Sequence, residues 1–245
     1  MLPPLFPLLR RAGTAVLDLL YPPHCAICRA ATPSGEHLCA ACRAQAPALK
    51  GTLCAVCSTP FSGQISGPFV CSSCLERHFA FTCAVSRYRS AGPVRELVHR
   101  LKYQRAVHLR GVLAGWLAEA LGDPRLQDPP PDRLVPVPLH PARQRERGFN
   151  QARLLAETLS RRSGIPLSDC LRRVRFTPSQ TRLDRKERME NLRDAFQLRQ
   201  NCPVRNLHLL LIDDVLTTGS TVDACARVLR EAGAASVRVA TVARA

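Results

Sequence analysis

Aromatic residues make up 5% of this 245-residue chain, and 19 acidic residues stand against 35 lysines and arginines. The first shortage argues against a base-stacking platform for single-stranded nucleic acid, which needs exposed rings in series; Phe69, Tyr103 and Phe149 are scattered. The second leaves a net charge of +16 and a pI near 10.1, with bases spread from Arg10 to Arg244. Such a surface attracts polyanions: nucleic acid, acidic lipid or a polyphosphorylated substrate. Long apolar runs are also missing near the start. Leu5, Phe6, Leu8 and Leu9 precede rather than follow the basic pair Arg10 and Arg11, Pro3, Pro4 and Pro7 interrupt them, and Asp18 breaks the next patch. That order is wrong for a secretion signal and too short for a bilayer span, so a cytoplasmic chain without a transmembrane segment is expected. Residues 8–21 read as a short amphipathic helix docked on its own protein, with membrane-surface contact as the alternative.

Cysteine, in contrast, is plentiful. Eight of the twelve fall in four C-x2-C pairs: Cys25 and Cys28, Cys39 and Cys42, Cys54 and Cys57, Cys71 and Cys74. In a reducing compartment an organised set of thiols points to metal rather than disulfides, and four thiolates at knuckle spacing select Zn2+. The simple arrangement groups Cys25, Cys28, Cys39 and Cys42 around one structural ion and Cys54, Cys57, Cys71 and Cys74 around a second. Interleaved pairing, a redox framework and an iron–sulfur cluster stay open. Residues 22–79 hold few large apolar side chains and need such ions to fold. An all-cysteine site leaves no open position for a reacting water, so structural rather than catalytic zinc is expected. Cys83, Cys170, Cys202 and Cys225 have no partner at ligand spacing and read as buried small apolar residues.

Residues 207–221 carry the strongest local pattern. Leu207 to Ile212 is an almost continuous apolar run, followed by Asp213 and Asp214, then Val215 and Leu216, then Thr217, Thr218, Gly219, Ser220 and Thr221. A strand covered on both faces takes such a run, and open α/β sheets place ligands at its carboxyl end. Two carboxylates there suit the adjacent hydroxyls of a ribose. The small residues of the turn free backbone N–H groups at the positive end of a helix expected over 220–232, which suits a phosphate. The bland alternative is an ordinary Asp-containing turn.

Around this stretch the spacing predicts a strand over 81–88, helices over 91–102 and 107–121, and a loop over 122–132. Residues 133–138 read as a strand whose Pro136 and Pro138 cannot donate in the middle of a ladder. Residues 139–150 read as a rigid loop carrying Arg143, Arg145 and Arg147, before a helix that starts near Gln151. Arg143 and Arg147 are candidate phosphate ligands, with a solvated basic face as the alternative. The polar, basic segment around 177–191 reads as a lid or an ordinary surface helix, with Gln180, Arg182, Arg188 and Asn191 as candidates. Lys102 is a weaker candidate. A last strand over 236–243 completes a mainly parallel α/β sheet with helices on both faces. The division expected is 1–21 for the helix, 22–79 for the cysteine-rich unit and 80–245 for the α/β domain.

The segment from Leu209 to Thr221 resembles the signature of type I phosphoribosyltransferases, and Val135-Pro136-Val137-Pro138 resembles their pyrophosphate loop. Joined to the double knuckles, Leu101-Lys102-Tyr103, Arg147-Gly148-Phe149-Asn150-Gln151 and Gln180, Arg188 and Asn191, these motifs resemble the ComF family over nearly the whole chain. The resemblance implies a double zinc ribbon before a phosphoribosyltransferase-like domain. It implies binding of phosphoribosyl pyrophosphate (PRPP) with Mg2+, Asp213 and Asp214 acting in catalysis. PRPP ligands would be Asp213, Asp214, Val215, Thr217, Thr218, Gly219, Ser220 and Thr221, with Arg143, Arg147, Arg182 and Arg188. It also implies a part in uptake of transforming DNA, with single-stranded DNA and uptake or helicase proteins as partners. A non-catalytic nucleic-acid-binding accessory protein is the competing reading. Amidophosphoribosyltransferases with a glutaminase domain carry a cysteine nucleophile after Met1; here Leu2 and the knuckles stand in its place, and ammonia from glutamine is not expected.

Overall fold

The computed structural model describes residues 20–63, 65, 67–176 and 194–245. Among the described elements two short helices come first, α1 (Ala40–Ala44) and α2 (Ser72–Leu75), each capped by a cysteine, Cys39 and Cys71. Then follow β1 (Ala84–Arg89), α3 (Gly92–Tyr103), α4 (Arg110–Leu121), β2 (Arg133–Pro136), α5 (Pro141–Arg147) and α6 (Gln151–Ser163). The chain continues through β3 (Leu171–Arg173), β4 (Phe196–Leu198), β5 (His208–Leu216), α7 (Ser220–Glu231) and β6 (Ser236–Arg244). Strands β1, β6, β5 and β2 form a parallel sheet in that order, and β3 and β4 make an antiparallel pair beside it.

The apolar run of β5 is buried because both of its faces are covered. Leu210 and Ile212 join Val85, Ala240 and Val242 under α3, α4 and α6, while Leu209 and Leu211 join Ala84, Val237 and Val239 under α7 and the β3–β4 pair. Leu209, Leu210, Leu211 and Ile212 are all at 0% exposure. Each such side chain contributes roughly 1.5–3 kcal/mol on leaving water. The proline-containing strand β2 lies at the sheet's margin, where a single bridge from Leu134 to Leu167 replaces a ladder. Proline therefore costs little there.

The cysteine-rich segment wraps the opposite margin. Ala84 N–H donates to Val56 O at 2.7 Å, Leu49 N–H to Arg87 O at 2.7 Å, and Arg89 N–H to Pro47 O at 2.8 Å, so the outer edge of β1 is bonded. Cys25, Leu38 and Cys42 enter the core on one sheet face, and Cys54, Cys57 and Cys74 enter the core on the other. Arg125 fastens the second half: it pairs with Asp123 at 2.8 Å and donates to Cys54 O, Ala55 O and Ser58 Oγ.

Several local expectations are corrected. Residues 139–150 do not form a loop throughout. The His140 ring caps α5 through Ala142 N–H, Pro141 opens it, and Gly148 ends it at a φ of +89°. Arginine, glutamine and glutamate are good helix formers, and that propensity decides the segment. The helix expected from 107 starts as a 3-10 turn, Val107–Leu109, before α4, and the 122–132 loop holds another, Pro124–Leu126. The strand placed at 81–88 begins later, at Ala84, and β5 continues past its acids to Leu216. Cys202 is partly exposed, not buried like Cys83, Cys170 and Cys225. Of the expected 8–21 helix, residues 8–19 lie outside the described residues, as do 177–193 with Gln180, Arg182, Arg188 and Asn191.

Trp116, 1% exposed, is among the largest fully buried side chains of the α3–α4 layer. Trp116→Ala is expected to cost about 3–5 kcal/mol, read as a lower denaturant midpoint with the zinc content unchanged.

Candidate ligand cleft and metal centres

In each tetrad the four Sγ atoms lie within 4.8 Å of one another: Cys25, Cys28, Cys39 and Cys42 in the first, Cys54, Cys57, Cys71 and Cys74 in the second. The pairing is therefore the simple one, and all twelve cysteines are free of disulfides. Cys28 and Cys39 sulfurs are 3.6 Å apart and Cys57 and Cys71 sulfurs 3.7 Å. A tetrahedron with zinc–sulfur bonds of about 2.3 Å has edges of about 3.8 Å, so the thiol sets fit structural Zn2+. Backbone N–H groups already aim at the sulfurs: Ile27 at Cys25, Cys42 at Cys39, and Cys71 at Cys54. Burial works against a charged sulfur at Cys57, yet the hydroxyl and N–H of Thr59 bring its thiol down to about 7.

A second feature is a cleft of about 450 Å³ at the carboxyl ends of β2 and β5. Its lining includes Asp213, Asp214, Val215, Thr217 and Thr221, then Arg95, His99, Lys102 and Tyr103 of α3, and Pro138, Leu139, Gln151 and Arg173. Asp214 is 3% exposed and forms an ion pair with Lys102 Nζ at 2.7 Å. Its Oδ1 accepts from Val215 N–H at 2.8 Å, and Asp213 Oδ1 accepts from Asp214 N–H at 2.9 Å. Desolvation, then the neighbouring charge of Asp214, pushes Asp213 up to about 8, with Lys102 pulling the other way. Burial disfavours the Lys102 ammonium, but Asp214 outweighs it and the net shift is upward.

The turn from Thr217 to Gly219 joins this cleft to α7. Gly219 sits at a φ of +79°, where a β-carbon is strained, and the helix then runs for twelve residues with its positive end at the turn. Thr218 and Ser220 hydroxyls are 3.0 Å apart, and Ser220 is buried. Unpaired N–H groups at such an end suit an anion.

The sequence candidates divide by position. Asp213, Asp214, Val215, Thr217 and Thr221 share the cleft, and Thr218 and Gly219 face a neighbouring cavity beside the second tetrad. Arg143 and Arg147 do not line the cleft. Arg143 lies 3.5 Å from Glu146 and over the Phe176 ring. Arg147 reaches Gln151 and sits over Tyr103 at 5.6 Å, which puts it at the rim. Lys102, a weaker candidate from sequence, holds Asp214; Tyr103 and Gln151 enter the sequence reading only as residues of the resembling motifs, and Arg95, His99 and Arg173 are not among its site candidates. For α3 a signal existed: Arg95, His99 and Lys102 recur at helical spacing and share one face. Arg173, on a three-residue strand, had none.

Two outcomes are expected. Mass spectrometry under native conditions should find two zinc ions per chain, falling to one in Cys28→Ser/Cys39→Ser. Asp213, raised above its unfolded value, binds a proton in the fold that the unfolded chain has released, so its contribution to stability falls as pH rises from about 4 towards 8. Asp213→Asn removes that loss, and the melting temperature of the variant relative to wild type should climb between pH 5 and pH 9; a constant difference contradicts the assignment.

Comparison with known proteins agrees with this layout. Residues 16–75 match the double zinc ribbon domain family and residues 147–245 the phosphoribosyl transferase domain family. "DNA utilization protein YhgH" of Salmonella typhi is 37% identical over 90% of this chain and 96% of its own. "Competence protein F" of Haemophilus influenzae is 34% identical over 84% and 96%, and "Competence protein ComFC" of Bacillus subtilis 30% over 85% of each. The chain belongs to the ComF family, with a double zinc ribbon ahead of a phosphoribosyltransferase-like domain.

Proposed function

We propose that the cleft binds PRPP and that the protein uses this site in the handling of incoming DNA. The observation that carries the first part is the meeting of Asp213, Asp214 and Lys102 with Thr217 and Thr221, at the two ends of the turn, in one cleft. The acid pair accepts hydrogen bonds from the two ribose hydroxyls. The turn takes the 5′-phosphate on backbone N–H groups and on the hydroxyls of Thr217, Thr218 and Thr221. The pyrophosphate lies towards Pro138 and Leu139, where Asn150 donates to Val137 O at 3.0 Å and holds the loop to the end of β2.

The carboxylates and hydroxyls of the cleft are oxygen donors, the kind a hard divalent cation takes, and Mg2+ bound with PRPP would supply charge neutralisation for the leaving pyrophosphate. In phosphoribosyl transfer the bond from ribose C1 to pyrophosphate oxygen breaks as the acceptor bonds to C1. Positive charge grows on the ribose ring beside Asp213 and Asp214, and negative charge on the leaving group is met by Arg173 and the rim base Arg147. Lys102 keeps Asp214 in place for the hydroxyls. The link to DNA uptake rests on the relatives being named DNA utilization and competence proteins, and the net charge of +16 supports contact with a polyanion.

Titration calorimetry with PRPP and Mg2+ is expected to give binding by wild type and a loss of at least about 100-fold in Asp213→Asn/Asp214→Asn, since two charged hydrogen-bond acceptors are removed. Unchanged affinity in that variant would eliminate the site. Because Asp213 is held protonated up to about 8, ribose binding to its carboxylate releases a proton: affinity should rise from pH 6.5 to pH 8.5, with a heat that varies with the buffer's ionisation enthalpy.

A further inference from the structure

Resting on the phosphate-site reading of the turn, we propose that the second cysteine tetrad sets the aim of the turn's N–H groups through two positioning residues, Arg244 and Arg77, so that zinc at this tetrad, and not at the first, governs phosphate binding.

Three successive carbonyl oxygens of the turn are held by two guanidiniums, Arg244 at the end of β6 and Arg77 of the cysteine-rich segment, with Ala245 N–H adding a bond to Leu216 O at 2.9 Å. Arg244 Nη1 donates to Leu216 O at 3.2 Å and to Thr217 O, and Arg77 Nη1 donates to Thr218 O at 3.2 Å. In a trans peptide the carbonyl and the following N–H point in opposite directions. Fixing those three oxygens turns the N–H groups of Thr217, Thr218 and Gly219 away from the ribbon. A phosphate cradle is made of amides aimed alike, and here the aim is imposed from outside the turn.

The hold leads straight to a metal ligand. Arg244 Nη2 donates to Thr59 Oγ1 at 3.1 Å, and that hydroxyl lies 3.0 Å from Cys57 Sγ. A zinc-bound thiolate is an acceptor, so the Thr59 proton goes to sulfur and the hydroxyl's lone pairs face the guanidinium. One hydroxyl and one guanidinium thus join Cys57 to the turn. Packing adds to the tie. Phe79 stacks on Phe81 with centroids 4.6 Å apart and would sit 3.5 Å from a β-carbon on Gly219. Ala80 N–H donates to Asp223 Oδ1 at 2.7 Å in the first turn of α7. The first tetrad is placed otherwise: its buried Cys25 and Cys42 belong to the core on the opposite face of the sheet.

The test uses the full chain and Thr59→Val, which removes the linking hydroxyl and leaves all eight ligands. Zinc content by mass spectrometry should stay at two per chain. Hydrogen exchange of a peptide spanning 217–224 should quicken about five- to tenfold, the scale of one lost hydrogen bond, because Asp223 N–H bonds to Gly219 O at 2.9 Å and frays as the turn loosens. PRPP affinity with Mg2+ should weaken by a similar factor. Thr59→Ser should restore both, and Cys28→Ser/Cys39→Ser should leave the peptide's exchange at the wild-type rate. Wild-type exchange in Thr59→Val, or equal loosening in the first-tetrad variant, overturns the proposal. Failure of wild type to bind PRPP would bring down the proposed function instead, while the exchange comparison still decides this coupling.

Discussion

Burial of β5 on both faces is the constraint from which the site follows. A strand without water on either side delivers Asp213 and Asp214 into low dielectric, where a lone carboxylate is costly. Asp214 is stabilised by Lys102, and Asp213 answers by taking a proton. The pair is thus held half-compensated, one carboxylate charged against an ammonium and the other protonated. Stability is spent at the strand's end and recovered along its length by Leu209 to Ile212.

The ribbons belong to the same economy of burial. Their cysteines are part of the two cores, Cys25 and Cys42 on one face and Cys54, Cys57 and Cys74 on the other. Metal loading and sheet packing are therefore linked equilibria: ions that gather the knuckles also complete the apolar layers against which the sheet is buried.

Much of this was legible along the chain because its signals are local. The cysteine spacing, the apolar run ending in two acids, and the threonine- and glycine-rich turn each fit within a few residues. Pro136 and Pro138 likewise marked a strand unable to donate in mid-ladder, and the structure places it at the sheet's margin. What stayed hidden depends on residues far apart in sequence. Lys102 meets Asp214 across more than a hundred positions, and Arg244 meets Thr59 across 185. Residues 139–150 resemble a basic loop in sequence, but the helix-forming tendency of the alanine, arginines, glutamine and glutamate after Pro141 makes helix α5. Arg147 was placed near the site and stands at its rim, turned towards Tyr103.

The order of strands has a kinetic consequence. β1 and β5 are separated by β6, so the early strand and the apolar strand β5 join one sheet only when the later strand pairs with both. On a ribosome, which releases the chain from its amino end, the ribbons and β1 must wait through the synthesis of everything from α3 to α7 before their neighbour exists. A sheet closed by such long-range pairing forms slowly, and its nascent chain spends that interval with an open flank.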